Sequence, residues 1–109
     1  MKKPDAGRST LTEKQFDLIA KALADPRRMQ VLEVIGGERE CACQQLREHF
    51  PVSKATISHH IKELVRAGLV EAHKDGQFLH CEVRREVLEA YTAELLRRAG
   101  GKSAVSSVA

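Results

Sequence analysis

Hydrophobic positions recur mostly at three- and four-residue steps along the first two thirds of this chain, the spacing of amphipathic helices. Phe16, Ile19, Ala20 and Leu23 form the first such stripe. Thr12 stands where a cap is needed, Gln15 completes a capping box, and Leu11 is placed to staple onto Phe16. Asp25-Pro26 predicts the start of a second helix, with Asp as cap and Pro in the first helical position. Its stripe is Met29, Val31, Leu32 and Ile35, and Gly36-Gly37 is expected to stop it. Ala42, Leu46 and Phe50 share a face at four-residue steps, predicting a short third helix over 42–49 that Pro51 helps to end.

Ser53 caps a fourth helix running to Ala67, with Gly68 as its left-handed terminator. The pattern then changes. LVEAHKDGQFLHCEV reads as two strands joined at Asp75-Gly76, a strong hairpin signal. With those two residues as the turn, Lys74 pairs with Gln77 and Val70 with Cys81. Val70, Ala72, Leu79, Cys81 and Val83 then share one face, while Glu71, His73, Phe78 and His80 share the other. His73 and His80 lie on one side but do not pair directly in this register. A fifth helix over 85–98 carries Val87, Leu88, Tyr91 and Leu95. The fold class is therefore mainly α with a β-hairpin, in the order ααααββα. Residues 1–10 and the Gly/Ser-rich 100–109 read as loose tails around one unit, 11–99.

Composition narrows the class. The chain has 109 residues, enough for one domain, and is 42% hydrophobic but only 4% aromatic. Its core must be built from Leu, Ile, Val and Ala, which suits helix packing. Lys and Arg number 18 against 15 Asp and Glu, a net charge of +3 that permits a nucleic-acid partner without demanding one. No apolar run is long enough for a bilayer and no leader pattern is present, so no membrane association and a cytoplasmic place are expected. Three cysteines, an odd number, do not make a disulfide framework.

The third and fourth helices are separated by only Phe50-Pro51-Val52, the short connection of a helix-turn-helix. A recognition helix must anchor one face in the protein and carry short polar or basic side chains on the other. Ile57, Ile61 and Leu64, with Val65 close by, form the anchor. Ala55, Ser58, His59, Lys62 and Arg66 collect opposite, with Glu63 only at the margin. The hairpin would act as a wing. Base readout is expected from Ser58, His59 and Lys62, and phosphate contacts from Ser53, Lys54, Thr56, Arg66 and Lys74. An ordinary solvated helix face would show a similar polar stripe, but the helix-turn-helix spacing and the Asp-Gly hairpin that follows favour a DNA-reading face, and a protein-binding module would not need this face free of acids. An enzyme is not expected, because no phosphate loop, nucleophile elbow or HExxH pattern occurs.

ALADPRRMQVLEVI together with VSKATISHHIKELVRAGLVEAHKDGQFLHCEV resembles the ArsR/SmtB family of bacterial winged helix-turn-helix repressors. The resemblance spans residues 16–98. It implies a homodimer formed through the first and last helices, with each recognition helix in one half of an inverted-repeat operator in double-stranded DNA. It also implies release of DNA by a metal ion, a metalloid or an oxidant. Alternatives are a winged-helix repressor with no metal or thiol inducer, and a winged-helix module that binds protein.

Cys41 and Cys43 stand in E-C-A-C-Q-Q-L, where arsenic-responsive members of the family carry E-L-C-V-C-D-L. Both thiols are displaced by one residue, and Arg47 follows Leu46 where a third thiol would stand. Residues at i and i+2 of a helix point about 200° apart, so sharing an ion requires Cys41 to precede the helix. The expected role of the pair is binding of trivalent arsenic or another thiophilic ion, or oxidation; a small core residue is the plain alternative for Cys43. Cys81 is expected to be a buried structural thiol. No cofactor is required. A zinc site on the fifth helix is not expected, since that helix has neither His nor Asp.

Overall fold

A computed structural model describes residues 11–37 and 41–101. The expected tails at 1–10 and 102–109 lie outside the described residues. Five helices and three strands follow in the order α1 (Glu13–Leu23), α2 (Pro26–Gly37), β1 (Cys41–Ala42), α3 (Cys43–His49), α4 (Lys54–Arg66), β2 (Val70–Asp75), β3 (Phe78–Val83) and α5 (Arg85–Ala99). This is a winged helix-turn-helix fold.

The caps explain where the helices begin. The backbone N–H of Gln15 donates to Thr12 Oγ1 at 3.0 Å. The return half of the expected capping box is not made: Gln15 Nε2 instead reaches the Ala67 carbonyl at 3.5 Å, tying α1 to the end of α4. Asp25 Oδ1 accepts from the N–H groups of Arg27 (2.9 Å) and Arg28 (3.2 Å), which lowers the Asp25 pKa. Ser53 Oγ accepts from the Thr56 N–H at 3.1 Å. At the far end of α4, Gly68 N–H donates to Val65 O (2.9 Å) and Leu69 N–H to Leu64 O (3.0 Å), the paired bonds of a Schellman motif, with Gly68 at φ +86°.

The core joins Ile19, Val31, Ile35, Leu46, Ile57 and Leu64 from the first four helices to Leu69, Val70 and Cys81 from the wing. Most stripe positions are where the periodicity placed them, with exceptions. Ala20 is exposed and Ala22 is buried in its place. Met29 and Val65 are 36% and 39% exposed. Gly36 and Gly37 are the last two residues of α2.

Two expectations about the sheet are corrected. Ala42 is not in α3; Cys41 and Ala42 form a strand that pairs antiparallel with β3, giving a three-stranded sheet of order β1-β3-β2. The turn residues are Gly76-Gln77, not Asp75-Gly76, so Asp75 pairs with Phe78, Lys74 with Leu79 and Val70 with Val83. Among the described residues only glycines have positive φ, and Gly76 has +71°. A two-residue turn with positive φ at its first position is the II′ pattern, and it requires Gly there. The slip is two residues, so each side chain keeps its expected face. It does make His73 and His80 direct partners, with rings stacked 6.1 Å apart.

Candidate nucleic-acid interface

The helix-turn-helix is α3, the turn at residues 50–53, and α4. Phe50 is buried at the turn, with the Arg27 guanidinium 5.5 Å from its ring centroid, so the turn is held against α2. Inside α4, Ile57, His60, Ile61 and Leu64 are buried. Their burial fixes the rotation of the helix about its axis, and so decides which side chains leave the surface.

Those side chains are Lys54, Ala55, Thr56, Ser58, His59, Lys62, Val65 and Arg66, all exposed. None is acidic. Glu63 is half-buried at the edge and accepts from Arg66 Nη1 at 3.4 Å, so Arg66 is steered by a carboxylate rather than swinging freely. In the first turn, Ser53 Oγ donates to Thr56 Oγ1 at 3.0 Å. Lys74 is exposed near the end of β2, two residues before the turn glycine. The eight expected DNA-contacting residues thus fall into a helix group of seven and a wing group of one.

His60, next to His59 on α4, is buried. Its Nδ1 accepts from Arg28 Nε at 3.3 Å. Burial lowers its pKa, Asp25 opposes that, and the Arg28 charge adds to the lowering. It therefore acts as a neutral acceptor clamping α4 to α2.

The three cysteines behave differently from expectation. Cys41 lies in β1, before the helix, directly opposite Cys81 in β3. Cys43 opens α3, and its Sγ sits 3.2 Å from Cys81 Sγ. Cys81 is fully buried as expected, but it belongs to a thiol pair rather than standing apart. The thiol–thiol contact, with the Arg47 charge nearby, holds the Cys43 pKa down to about 7; the same contact and burial push Cys81 up. Cys41 Sγ approaches its neighbour's carbonyl, Ala42 O, at 3.7 Å. Among the described residues, no three His, Cys, Asp or Glu side chains are grouped to hold a metal ion.

Arg47 is the residue that the sequence reading passed over. It stands one helical turn after Cys43, a spacing that places both on one face of α3. Both border a cleft of about 280 Å³ between α3, α4 and the wing, which Ser58, Lys62, Ile61 and Leu79 help to line. Among the described residues no helix is long and apolar enough to cross a membrane.

Known proteins agree with this geometry. The family model for the helix-turn-helix domain matches residues 23–73. The arsenical resistance operon repressor of Staphylococcus xylosus is 37% identical over 79 residues, covering 72% of this chain and 75% of that protein. Among solved structures, an ArsR-like transcriptional regulator from Rhodococcus sp. RHA1 superposes with a TM-score of 0.73 at 26% identity, covering 85% of this chain and 86% of that one. A homodimeric winged helix-turn-helix DNA-binding domain from Mycobacterium bovis shares the fold, with a TM-score of 0.65 at 23% identity over 82% of each chain. The buried anchor of α4, its acid-free outer face, the wing and these likenesses converge: the chain belongs to the ArsR family of winged helix-turn-helix transcriptional repressors, which bind DNA.

Proposed function

We propose that this protein is a dimeric cytoplasmic repressor that occupies an inverted-repeat operator and leaves it when its thiols meet an inducer. The outer face of α4 carries the reading. Ser58, His59 and Lys62 enter the major groove and contact base edges. Ser53, Lys54, Thr56 and Arg66 hold the flanking phosphates, and Lys74 reaches a further phosphate from the wing. Support for this division comes from exposure: all eight side chains are exposed, and no exposed carboxylate lies on the same helix face.

The dimer forms through α1 and α5. In support, these helices pack on each other through Phe16 and Tyr91, with ring centroids 5.0 Å apart, and α5 leaves Leu95 and Leu96 42% and 63% exposed. Cys41 and Cys43 belong to a site for trivalent arsenic or another thiophilic ion. Cys41 in β1 just before α3, and Cys43 opening α3 and lining the same cleft as Ser58 and Lys62, support that role.

The test is a gel-shift titration. His59→Ala with Lys62→Ala should abolish the preference for operator over random duplex while leaving the chain folded. Wild-type affinity should fall by about one decade per tenfold salt for each phosphate neutralised. Operator preference retained by the double variant would remove α4 from the reading role.

A further inference from the structure

The Cys43–Cys81 pair joins two elements that no local sequence feature connects. Cys43 is the first residue of α3 and Cys81 lies in the central strand of the sheet, 38 positions later. Their sulfurs are 3.2 Å apart. A disulfide needs about 2.05 Å, so closure requires a movement on the order of one ångström. Both thiols are buried, at 3% and 0% exposure, so nothing bulky reaches them. Cys43, however, borders two openings: the cleft of about 280 Å³ against α4, and a second of about 180 Å³ against the wing tip. Arg47 lines both. A small neutral oxidant can reach Cys43 through these openings.

We propose that Cys43 and Cys81, rather than Cys41 and Cys43, are the redox couple of this protein: a small hydroperoxide oxidises Cys43 through the cleft, Cys81 resolves it, and the resulting disulfide lowers operator affinity. The electron balance closes. The Cys43 thiolate attacks the outer peroxide oxygen, the O–O bond breaks, and ROH leaves with a proton, giving Cys43–SOH. Cys81 sulfur then attacks Cys43 sulfur, the S–O bond breaks, and water departs with the Cys81 proton. Two thiols and one hydroperoxide become one disulfide, one alcohol and one water. The order of attack follows from access and charge. Cys43 borders both openings and lies near the Arg47 guanidinium, which favours its thiolate, whereas Cys81 lines neither of these openings and its burial favours the protonated thiol.

The output follows from the packing. Cys43 lies on the same cleft as Ser58 and Lys62 of the recognition helix, so pulling α3 toward β3 shifts the wall that α4 rests on. A close-packed core passes such a shift on rather than absorbing it. The output half rests on the reading of α4 given above; the chemical half is measured without DNA.

The experiment treats the reduced full chain with one equivalent of tert-butyl hydroperoxide, then weighs the intact protein and its tryptic peptides. Cys41 and Cys43 share peptide 40–47 while Cys81 is on 75–84, so a cross-linked peptide alone does not distinguish the two partners. Cys41→Ser decides. It should still lose two hydrogens, like the wild type, and still join these peptides. Cys81→Ala should stop at a sulfenic acid on Cys43, read as the gain of one oxygen on peptide 40–47. A wild type that keeps three free thiols, a Cys41-containing bridge, or a Cys41→Ser chain that no longer cross-links would each overturn the couple. In a parallel gel shift, oxidation should weaken operator binding at least tenfold in wild type and Cys41→Ser, and reductant should restore it. A disulfide that leaves affinity unchanged overturns the regulatory half. Failure of the reduced protein to bind any operator instead overturns the reading of α4 and leaves the disulfide result standing.

Discussion

His60 and His59 are adjacent on one helix and do opposite things. His59 is exposed beside Lys62, while His60 is buried and accepts from Arg28. An imidazolium at position 60 would lose its acceptor nitrogen and face a guanidinium. The charged groups around it are Asp25, Arg27 and Arg28 from α2 and its cap, with His59 beside it on α4. Burial leads the lowering of its pKa, so between the unfolded value of about 6.5 and the lower folded value the unfolded chain binds more protons. Stability should therefore be constant above that window and fall as pH drops through it. Thermal unfolding from pH 8 to pH 5 should show this loss, and His60→Gln should flatten it by keeping an acceptor that does not titrate. An unchanged slope in the variant would place the pH sensitivity elsewhere.

At the scale of elements, the join between recognition helix and wing depends on Gly68. Its φ of +86° closes the Schellman bonds at the end of α4. A Cβ there would also come 2.8 Å from Gln15 Nε2, disturbing the contact that holds α1 to Ala67. Gly68→Ala should cost about 1–2 kcal/mol in urea unfolding, the usual penalty for a left-handed residue with a Cβ. Asn tolerates this conformation better, so Gly68→Asn should recover part of the loss. Equal costs would mean that the clash with Gln15, not the backbone, sets the requirement. This terminator was legible in the sequence, as were all five helices and the rotation of α4, because each depends on neighbours three or four residues away. What escaped was non-local. A two-residue strand has no alternation to detect, and β1 exists only because β3 lies opposite it. The turn slipped because Asp75 and Gly76 both accept a turn in isolation, while the folded hairpin uses positive φ at Gly76 alone. Faces survived the slip, but partners did not, so the His73–His80 stack stayed hidden; the nearness of Cys43 to Cys81 stayed hidden because it follows from β1 and α3 lying against β3.

For the whole molecule, the question is what α1 and α5 are for beyond packing on each other. Their contact is well made: Arg98 lies 3.8 Å over the Phe16 ring and 3.3 Å from Glu13, and it donates to Glu94 at 2.7 Å. Arg97 and Arg98 hold the Glu94 carboxyl down to about 2, so this buried acid stays ionised across ordinary pH. With Glu94 fixed inward, the next two residues, Leu95 and Leu96, are turned out to solvent at 42% and 63% exposure. In the dimer proposed above, a second copy would cover these two adjacent leucines. A twofold pair also matches what α4 needs, because half-sites about 34 Å apart call for two recognition helices held at fixed spacing. Leu95→Glu with Leu96→Glu should leave the fold intact, since neither side chain is in the core, yet yield a monomer in sedimentation velocity. Operator affinity should drop on the order of a hundredfold as the second half-site becomes an independent binding event. A double variant that still sediments as a dimer would exclude this face of α5. One that is monomeric yet binds operator as tightly as wild type would break the link between dimer and operator.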